Sequence, residues 1–442
     1  MTHFEGFRCT DCGTTVTDDG ATRCPDCDGA LDARYDLSAD LSREALEARS
    51  GGWKHHELLP LVPDGIGEGA TPLVEAPRLA DELGVGRVLI KNEAHNPTGT
   101  VTDRGLALVA EAADRAGADT LALPTTGDGG QSAAAYAARS GLLSRSFVPS
   151  RATFINKAMI NVHGGDMRVV EGRFDDARAV YEKERESMPA ADEETWFPAA
   201  PFDSPFRHEG MKPIYYEIAE SLEWTAPDAV VAPAGHGATL AGLWKGAREF
   251  DEVGLVSGTP RLYAAQPDGC APIVEAIESG DDPEPWEVPD TVVGFLEVPD
   301  PAGGLPAVEA VRASGGTGVA VDDQDLLDSA ATIAQHAGLE VSVACATAAA
   351  GAWALSDAGA FESDLPRIDI GIDGLDDMIL GGVPRRSLMV AIGSAGTGKT
   401  TFGLQFLRHG LENGEDAVYI TLEESQQRIV DTADAKGCGF EE

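Results

Sequence analysis

Residues 120–141 read TLALPTTGDGGQSAAAYAARSG. A short apolar run (TLALPT, Thr120–Thr125) passes directly into a glycine-rich turn and then into an alanine-rich stretch, the order of a buried strand, a tight loop and a helix. The order recurs where AVVAPAG (Ala229–Gly235) runs into GHGATLAGLWKG, and RVLIK (Arg87–Lys91) and RLYAAQ (Arg261–Gln266) are further strand-like runs. Such alternation predicts an α/β fold with a mainly parallel sheet. In open sheets of that kind ligands gather at the carboxyl ends of the strands, which is where these glycine-rich turns fall.

The chain has 442 residues, 43% of them hydrophobic and 24% charged, enough to bury sizeable cores in two or three units. Its 74 acidic residues outnumber 33 basic ones, giving a formal charge of -41. A field of that sign repels phosphate backbones and anionic membranes, so nucleic-acid and membrane partners are not expected. With only eight lysines, an acid-rich surface of the kind that suits a high-salt organism, where ions screen self-repulsion, is expected. The amino terminus carries neither a basic nor an apolar leader region, and no apolar run reaches the ~18 residues of a membrane span, so a cytoplasmic location is expected. The longest small and apolar run, Ser342–Leu355, fits a buried helix.

Three units and a linker are expected along the chain: a turn-rich segment at 1–35, a main body at 36–355, the linker at 356–369, and a new pattern at 370–442. Asp281 to Pro306, rich in Pro and Asp, reads as a long loop within the body.

Cys9 and Cys12, then Cys24 and Cys27, form two C-x2-C pairs. Four thiolates can surround one tetrahedral Zn²⁺ at ~2.3 Å and leave no position for water, so a structural zinc ribbon is expected. The metal should supply much of the folding free energy of so small a unit.

Several motifs in order, GEGATPL…KNEAHNPTGTVTDRG (67–105), TTGDGGQSAAAYAARSG (125–141), INKAMINVHGGDMRVVEGRFDDA (155–177), SPFRHEGMKPIYYEIAESL (204–222) and APAGHGATLAGLWKG (232–246), resemble threonine synthase and its relatives among the fold-type-II pyridoxal-phosphate enzymes. The resemblance covers about residues 1–350, ribbon included. It implies a tryptophan synthase β-like body, pyridoxal phosphate as cofactor, an amino-acid or phosphate ligand, conversion of O-phosphohomoserine to threonine plus phosphate, and a homodimer through the body. The family places its Schiff-base lysine in a motif like NPTGSFKDRG, and this chain has Thr102 there. A threonine cannot form an imine, so impaired catalysis is expected. By the same resemblance Thr125, Thr126, Gly127 and Asp128 form the loop that binds the substrate carboxylate and the cofactor's 3′-oxygen, with Asp128 bringing a like charge in place of the family's asparagine. Gly235, His236, Gly237, Ala238 and Thr239 form the phosphate cradle, a run of backbone donors at a helix start. The family's closing G-H-G-L-K-D stretch does not follow.

Farther on, Gly393-Ser394-Ala395-Gly396-Thr397-Gly398-Lys399-Thr400, followed by Thr401, satisfies G-x4-G-K-[ST] between the apolar run SLMVAI and a helical pattern. Loop N–H groups would cradle the phosphates of ATP, Lys399 would reach the β and γ groups, and Thr400 would bind Mg²⁺. With GIDGLDDMILGGVPRRS before it and AVYITLEES after it, the segment resembles the opening of KaiC/RadA-like ATPases, a RecA-like P-loop segment read as truncated because no Walker-B strand follows. The resemblance implies that Glu423 or Glu424 polarises water. Three readings stand open: an impaired threonine-synthase-like enzyme, a nucleotide-binding regulatory module coupled to a pseudoenzyme, or a gene fusion without function.

Overall fold

The computed structural model describes residues 2–38, 41–188, 195–361, 367–368, 372, 383–384, 399–412 and 430. The chain divides into two compact units, Met1–Ala358 and Gly359–Glu442.

The first unit opens with strands β1 (Phe4–Cys9), β2 (Thr15–Val16) and β3 (Leu31–Tyr35), antiparallel in the order β2-β1-β3. Gly6 sits at a register shift with φ 119°, and a Cβ there would lie 2.8 Å from the Val16 carbonyl oxygen, so only glycine fits. The chain continues through α1 (Arg43–Glu47), β4 (Leu73–Glu75), α2 (Pro77–Leu83), β5 (Leu89–Lys91), α3 (Thr102–Arg115), β6 (Thr120–Pro124), α4 (Asp128–Ser140), β7 (Leu143–Pro149), α5 (Phe154–Val162), β8 (Asp166–Val170), α6 (Phe174–Ser187) and β9 (Trp196–Pro198). Then follow α7 (Pro205–Glu209), α8 (Pro213–Ser221), β10 (Ala229–Pro233), α9 (Ala238–Glu252), β11 (Arg261–Pro267), α10 (Pro272–Ser279), α11 (Gly304–Ala313), β12 (Gly318–Val321), α12 (Asp323–Ala337) and α13 (Val343–Asp357).

Two parallel sheets carry this unit, one ordered β8-β7-β6-β9 and one ordered β10-β11-β12. β6 lies inside the first, with Leu121, Ala122 and Leu123 fully buried, as expected of a strand covered on both faces. The RVLIK run departs from the parallel expectation: β5 pairs antiparallel with β4, Leu73 opposite Lys91, because α2 ends at Gly84 in a left-handed turn (φ 65°) that sends the chain back.

The run Ser342–Leu355 forms α13, capped by Ser342 whose hydroxyl accepts from the Cys345 amide. Its small residues let it lie close on the second sheet: a Cβ on Gly351 would come 2.7 Å from the Ala265 Cβ on β11. Residues 281–303 are loop, and α11 begins at Gly304.

In the second unit, Arg367–Ile368 (β13) pairs antiparallel with Val383–Pro384 (β14), and Lys399–Glu412 forms helix α14.

Candidate functional site

Three loops of the body carry the candidate residues, two of them where the parallel strands β6 and β10 end. The first precedes α3. Asp103, in the first turn of that helix, is buried and accepts hydrogen bonds from the Thr98 amide (2.7 Å), the Thr98 hydroxyl (2.6 Å) and the Ser132 hydroxyl (2.5 Å). Burial raises its carboxyl, and these donors work against that rise. The loop at 96–101 is thereby tied to α3 and α4.

Thr102 is the first residue of α3. Its amide donates to Thr100 Oγ1 (3.3 Å), its carbonyl accepts from Arg207 Nη1 (3.0 Å), and its own Oγ1 is buried without a hydrogen-bond partner among the described residues. The side chain at this position therefore neither caps the helix nor joins the surrounding network.

The second loop follows β6. Thr125 Oγ1 accepts from the amides of Gly127 (3.0 Å) and Gly130 (3.1 Å), so two of the loop's backbone donors are engaged internally. Asp128 opens α4, where the helix dipole favours an acid. Its carboxylate accepts from the hydroxyls of Thr100 (3.0 Å) and Thr126 (3.4 Å), which joins the second loop to the first.

The third loop, Gly235–Thr239, links β10 to α9. Gly237 has φ 86°, and a Cβ on it would meet the Gly303 carbonyl oxygen at 2.3 Å. The Gly303 amide in turn donates to the His236 carbonyl (2.9 Å), pinning the loop. The opening N–H groups of α9 have no partner within the helix, so the turn presents donors to an anion. The His236 ring packs edge-on against Phe174 with centroids 4.9 Å apart, and its Nδ1 is buried and unpartnered. Burial, reinforced by the charges of Arg207 and Arg178, pushes its titration down to about 3, so the ring is neutral.

Sequence reasoning did not single out Arg207, although it lies within the quoted SPFRHEG. The residue is buried, and among the described residues no carboxylate forms an ion pair with it. Burial pushes its guanidinium down to about 10, with Asp128 and Asp103 pulling the other way. A buried cation whose charge reaches both the Asp128 loop and His236 gives this region an anion-attracting centre. A deeper network steadies the entrance to α3: Arg104 is held by Glu93 and Glu217, and Lys91 also donates to Glu217 (2.6 Å).

The phosphate end of pyridoxal phosphate fits this arrangement, since the α9 turn supplies backbone donors and the charge of buried Arg207 reaches His236 in that turn. The aldehyde end does not. The six lysines of the body are engaged elsewhere or exposed: Lys54 with Glu220, Lys91 with Glu217, Lys157 with the Ser150 carbonyl, Lys212 with Glu209 and Glu249, Lys245 with Asp32 and Glu209, and Lys183 on the outer face of α6.

At the amino terminus the sulfur atoms of Cys9, Cys12, Cys24 and Cys27 lie within 4.8 Å of one another, with Cys9–Cys27 at 3.4 Å and Cys12–Cys24 at 3.6 Å. A tetrahedron of ~2.3 Å zinc–sulfur bonds has edges of about 3.8 Å, so the four thiols suit a zinc ion with little movement. Asp32, His208 and Glu209 also cluster, but the Lys245 ammonium bonds both carboxylates at 2.5 Å and takes the place a metal cation would fill.

Of the nucleotide-binding candidates, Lys399, Thr400 and Thr401 begin α14. Gly393, Ser394, Ala395, Gly396, Thr397, Gly398, Glu423 and Glu424 lie outside the described residues. Among the described residues no helix is long and apolar enough to cross a membrane.

Residues 66–367 match the family model of pyridoxal-phosphate-dependent enzymes, and residues 368–442 match that of the KaiC ATPases. The chain is 33% identical over 366 residues to the threonine synthase of Methanosarcina acetivorans, covering 81% of this chain and 88% of that one. It is 32% identical to the threonine synthase of Methanocaldococcus jannaschii, with 81% and 89% covered. Among solved structures it is similar to threonine deaminase isoform 2 of Solanum lycopersicum (TM-score 0.55, 21% identity, 66% of this chain and 76% of that one). It is also similar to an L-serine ammonia-lyase from Rhizomucor miehei (TM-score 0.55, 19% identity, 72% and 90% covered), which supports the α/β fold of the body.

Proposed function

We propose, from the premise that this chain belongs to the threonine-synthase-like pyridoxal-phosphate-dependent enzymes, that its body binds a phosphorylated small molecule without forming the imine on which the family reaction depends. One observation carries the reading: Thr102, with an unpartnered hydroxyl, opens α3 where the family has its lysine. When bound covalently, pyridoxal phosphate supplies an electron sink for carbanion chemistry, and that requires an amine this position lacks.

What remains is suited to binding. The α9 turn, Gly235 to Thr239, would hold a phosphate through backbone N–H groups, with Arg207 adding a desolvated positive charge. Asp128, held by Thr100 and Thr126, sets a negative charge where an anionic cofactor oxygen would lie, which disfavours the family's ring orientation. Conversion of O-phosphohomoserine to threonine is therefore reduced by many orders of magnitude.

Two further ligands complete the proposal. Cys9, Cys12, Cys24 and Cys27 hold one structural zinc, and the KaiC-like segment binds Mg·ATP through Gly393 to Thr401. The chain is thus a binding body of enzyme ancestry carried with a nucleotide-binding segment. Equilibrium dialysis with pyridoxal phosphate at high salt tests the first part: reversible binding displaced by inorganic phosphate is expected. Retention after borohydride treatment, with an adduct on a body lysine, would refute it.

A further inference from the structure

We infer that helix α7 couples the cysteine ribbon to the loop around Thr102, so that order in the ribbon sets the order of the ligand site. Four consecutive residues carry the argument. Phe206 packs edge-on against Phe7 of β1, with ring centroids 5.6 Å apart. Arg207 donates to the Thr102 carbonyl (3.0 Å). His208 stacks on Phe202 at 4.6 Å and sits in the cluster with Asp32 of β3. Glu209, fully buried, accepts from the Tyr35 hydroxyl of β3 (2.6 Å) and from the ammonium groups of Lys245 (2.5 Å) and Lys212 (2.7 Å). Lys245 also donates to Asp32 (2.5 Å) and to the Ala33 carbonyl (2.7 Å), both on β3.

One face of a five-residue helix therefore belongs to the ribbon, while the residue between belongs to the ligand site. A helix that short has no stability of its own, so its place is set by these contacts. Glu209 ends the helix, where the dipole disfavours an acid, and it stays ionised through its neighbours. Burial alone raises its carboxyl, yet Lys212 and Lys245 outweigh burial and hold it at about 2. If the ribbon loses order, Glu209 loses the Tyr35 hydroxyl, Lys245 loses two β3 acceptors, and Phe206 loses the Phe7 ring. Arg207 is then no longer fixed against residue 102, and the loop at 96–105 loosens. Coupling of this kind is reciprocal, so an anion that orders the ligand site tightens metal binding in the ribbon.

The inference rests on the zinc reading for its first arm only. Amide hydrogen exchange on the full chain at high salt follows three groups of peptides: 4–35, 98–105 with 204–212, and β11 as a distant control. Chelation is expected to speed exchange at least tenfold in the first two groups and to leave β11 unchanged. Tyr35→Phe leaves 4–35 protected but speeds 98–105 and 204–212. Arg207→Gln speeds 98–105 alone. Because Tyr35→Phe needs no metal to be informative, absence of zinc refutes the ribbon reading without deciding the coupling. Unchanged exchange at 98–105 in Tyr35→Phe, or an equal rise in β11, overturns the coupling.

Discussion

The Arg207 guanidinium donates to the carbonyl oxygen of Thr102 at 3.0 Å, gripping by its backbone the residue that stands at the position of the family's lysine. Position 102 is held in place, yet its hydroxyl has no partner among the described residues. A scaffold that still fixes this residue is consistent with retained binding and lost covalent catalysis.

Gly237→Ala should destroy the phosphate seat. An alanine there is strained at φ 86° and its Cβ would overlap the Gly303 carbonyl at 2.3 Å, so the turn must shift. The expected result is at least a tenfold loss of affinity for pyridoxal phosphate in equilibrium dialysis, and a stability loss of about 2 kcal/mol in urea. Unaltered affinity would mean that the α9 turn is not the seat.

Glu217 should make the body acid-sensitive. Burial pushes its carboxyl up, but Arg104 and Lys91 outweigh burial and hold it at about 2, below the ~4.3 of a free glutamate. The folded state thus binds this proton less tightly than the unfolded state, so the stabilisation is fully present above about pH 4.3 and is lost as pH falls toward 2. Glu217→Gln leaves Arg104 with one carboxylate partner, and should cost roughly 3–5 kcal/mol at pH 7. It should also flatten the fall in stability between about pH 4.3 and pH 2. Urea midpoints measured across that range check both statements.

Metal analysis of protein purified without chelator should find one zinc per chain. Cys12→Ser and Cys24→Ser should each lower the metal content and leave residues 4–35 sensitive to protease. Full zinc occupancy in either variant would contradict a four-thiolate site.

Lys399→Ala should weaken Mg·ATP binding by an order of magnitude or more, because in a P-loop the lysine is the side chain that serves the β and γ phosphates. Isothermal titration at high salt measures this. Affinity unchanged by the substitution would remove the nucleotide from the account.

Much of this arrangement is legible in the sequence because its signals are local. Strand, glycine turn and helix follow one another directly at Thr120–Gly141 and at Ala229–Gly246, and the cysteine pairs announce themselves by spacing. What escapes the sequence depends on long-range packing. The burial of Arg207 without an ion-pair partner among the described residues, and the bond between Tyr35 and Glu209, arise from residues far apart in the chain. The capture of the Gly127 and Gly130 amides by Thr125 Oγ1 is local, but it follows from one hydroxyl's orientation, which residue type does not specify. The antiparallel β4–β5 pair was hidden by an apolar run that reads equally well as a parallel strand.

The absorbance spectrum of the purified chain with added pyridoxal phosphate, before and after borohydride reduction, tests the central claim most directly, with Thr102→Lys as its counterpart. The native chain should show only the free-aldehyde spectrum, and dialysis after borohydride should remove all cofactor. Thr102→Lys should gain an imine absorbance and retain a reduced adduct at residue 102, while threonine formation stays far below that of a working enzyme because Asp128 still opposes the ring. A reducible imine on the native chain, mapped to any lysine of the body, would contradict the account.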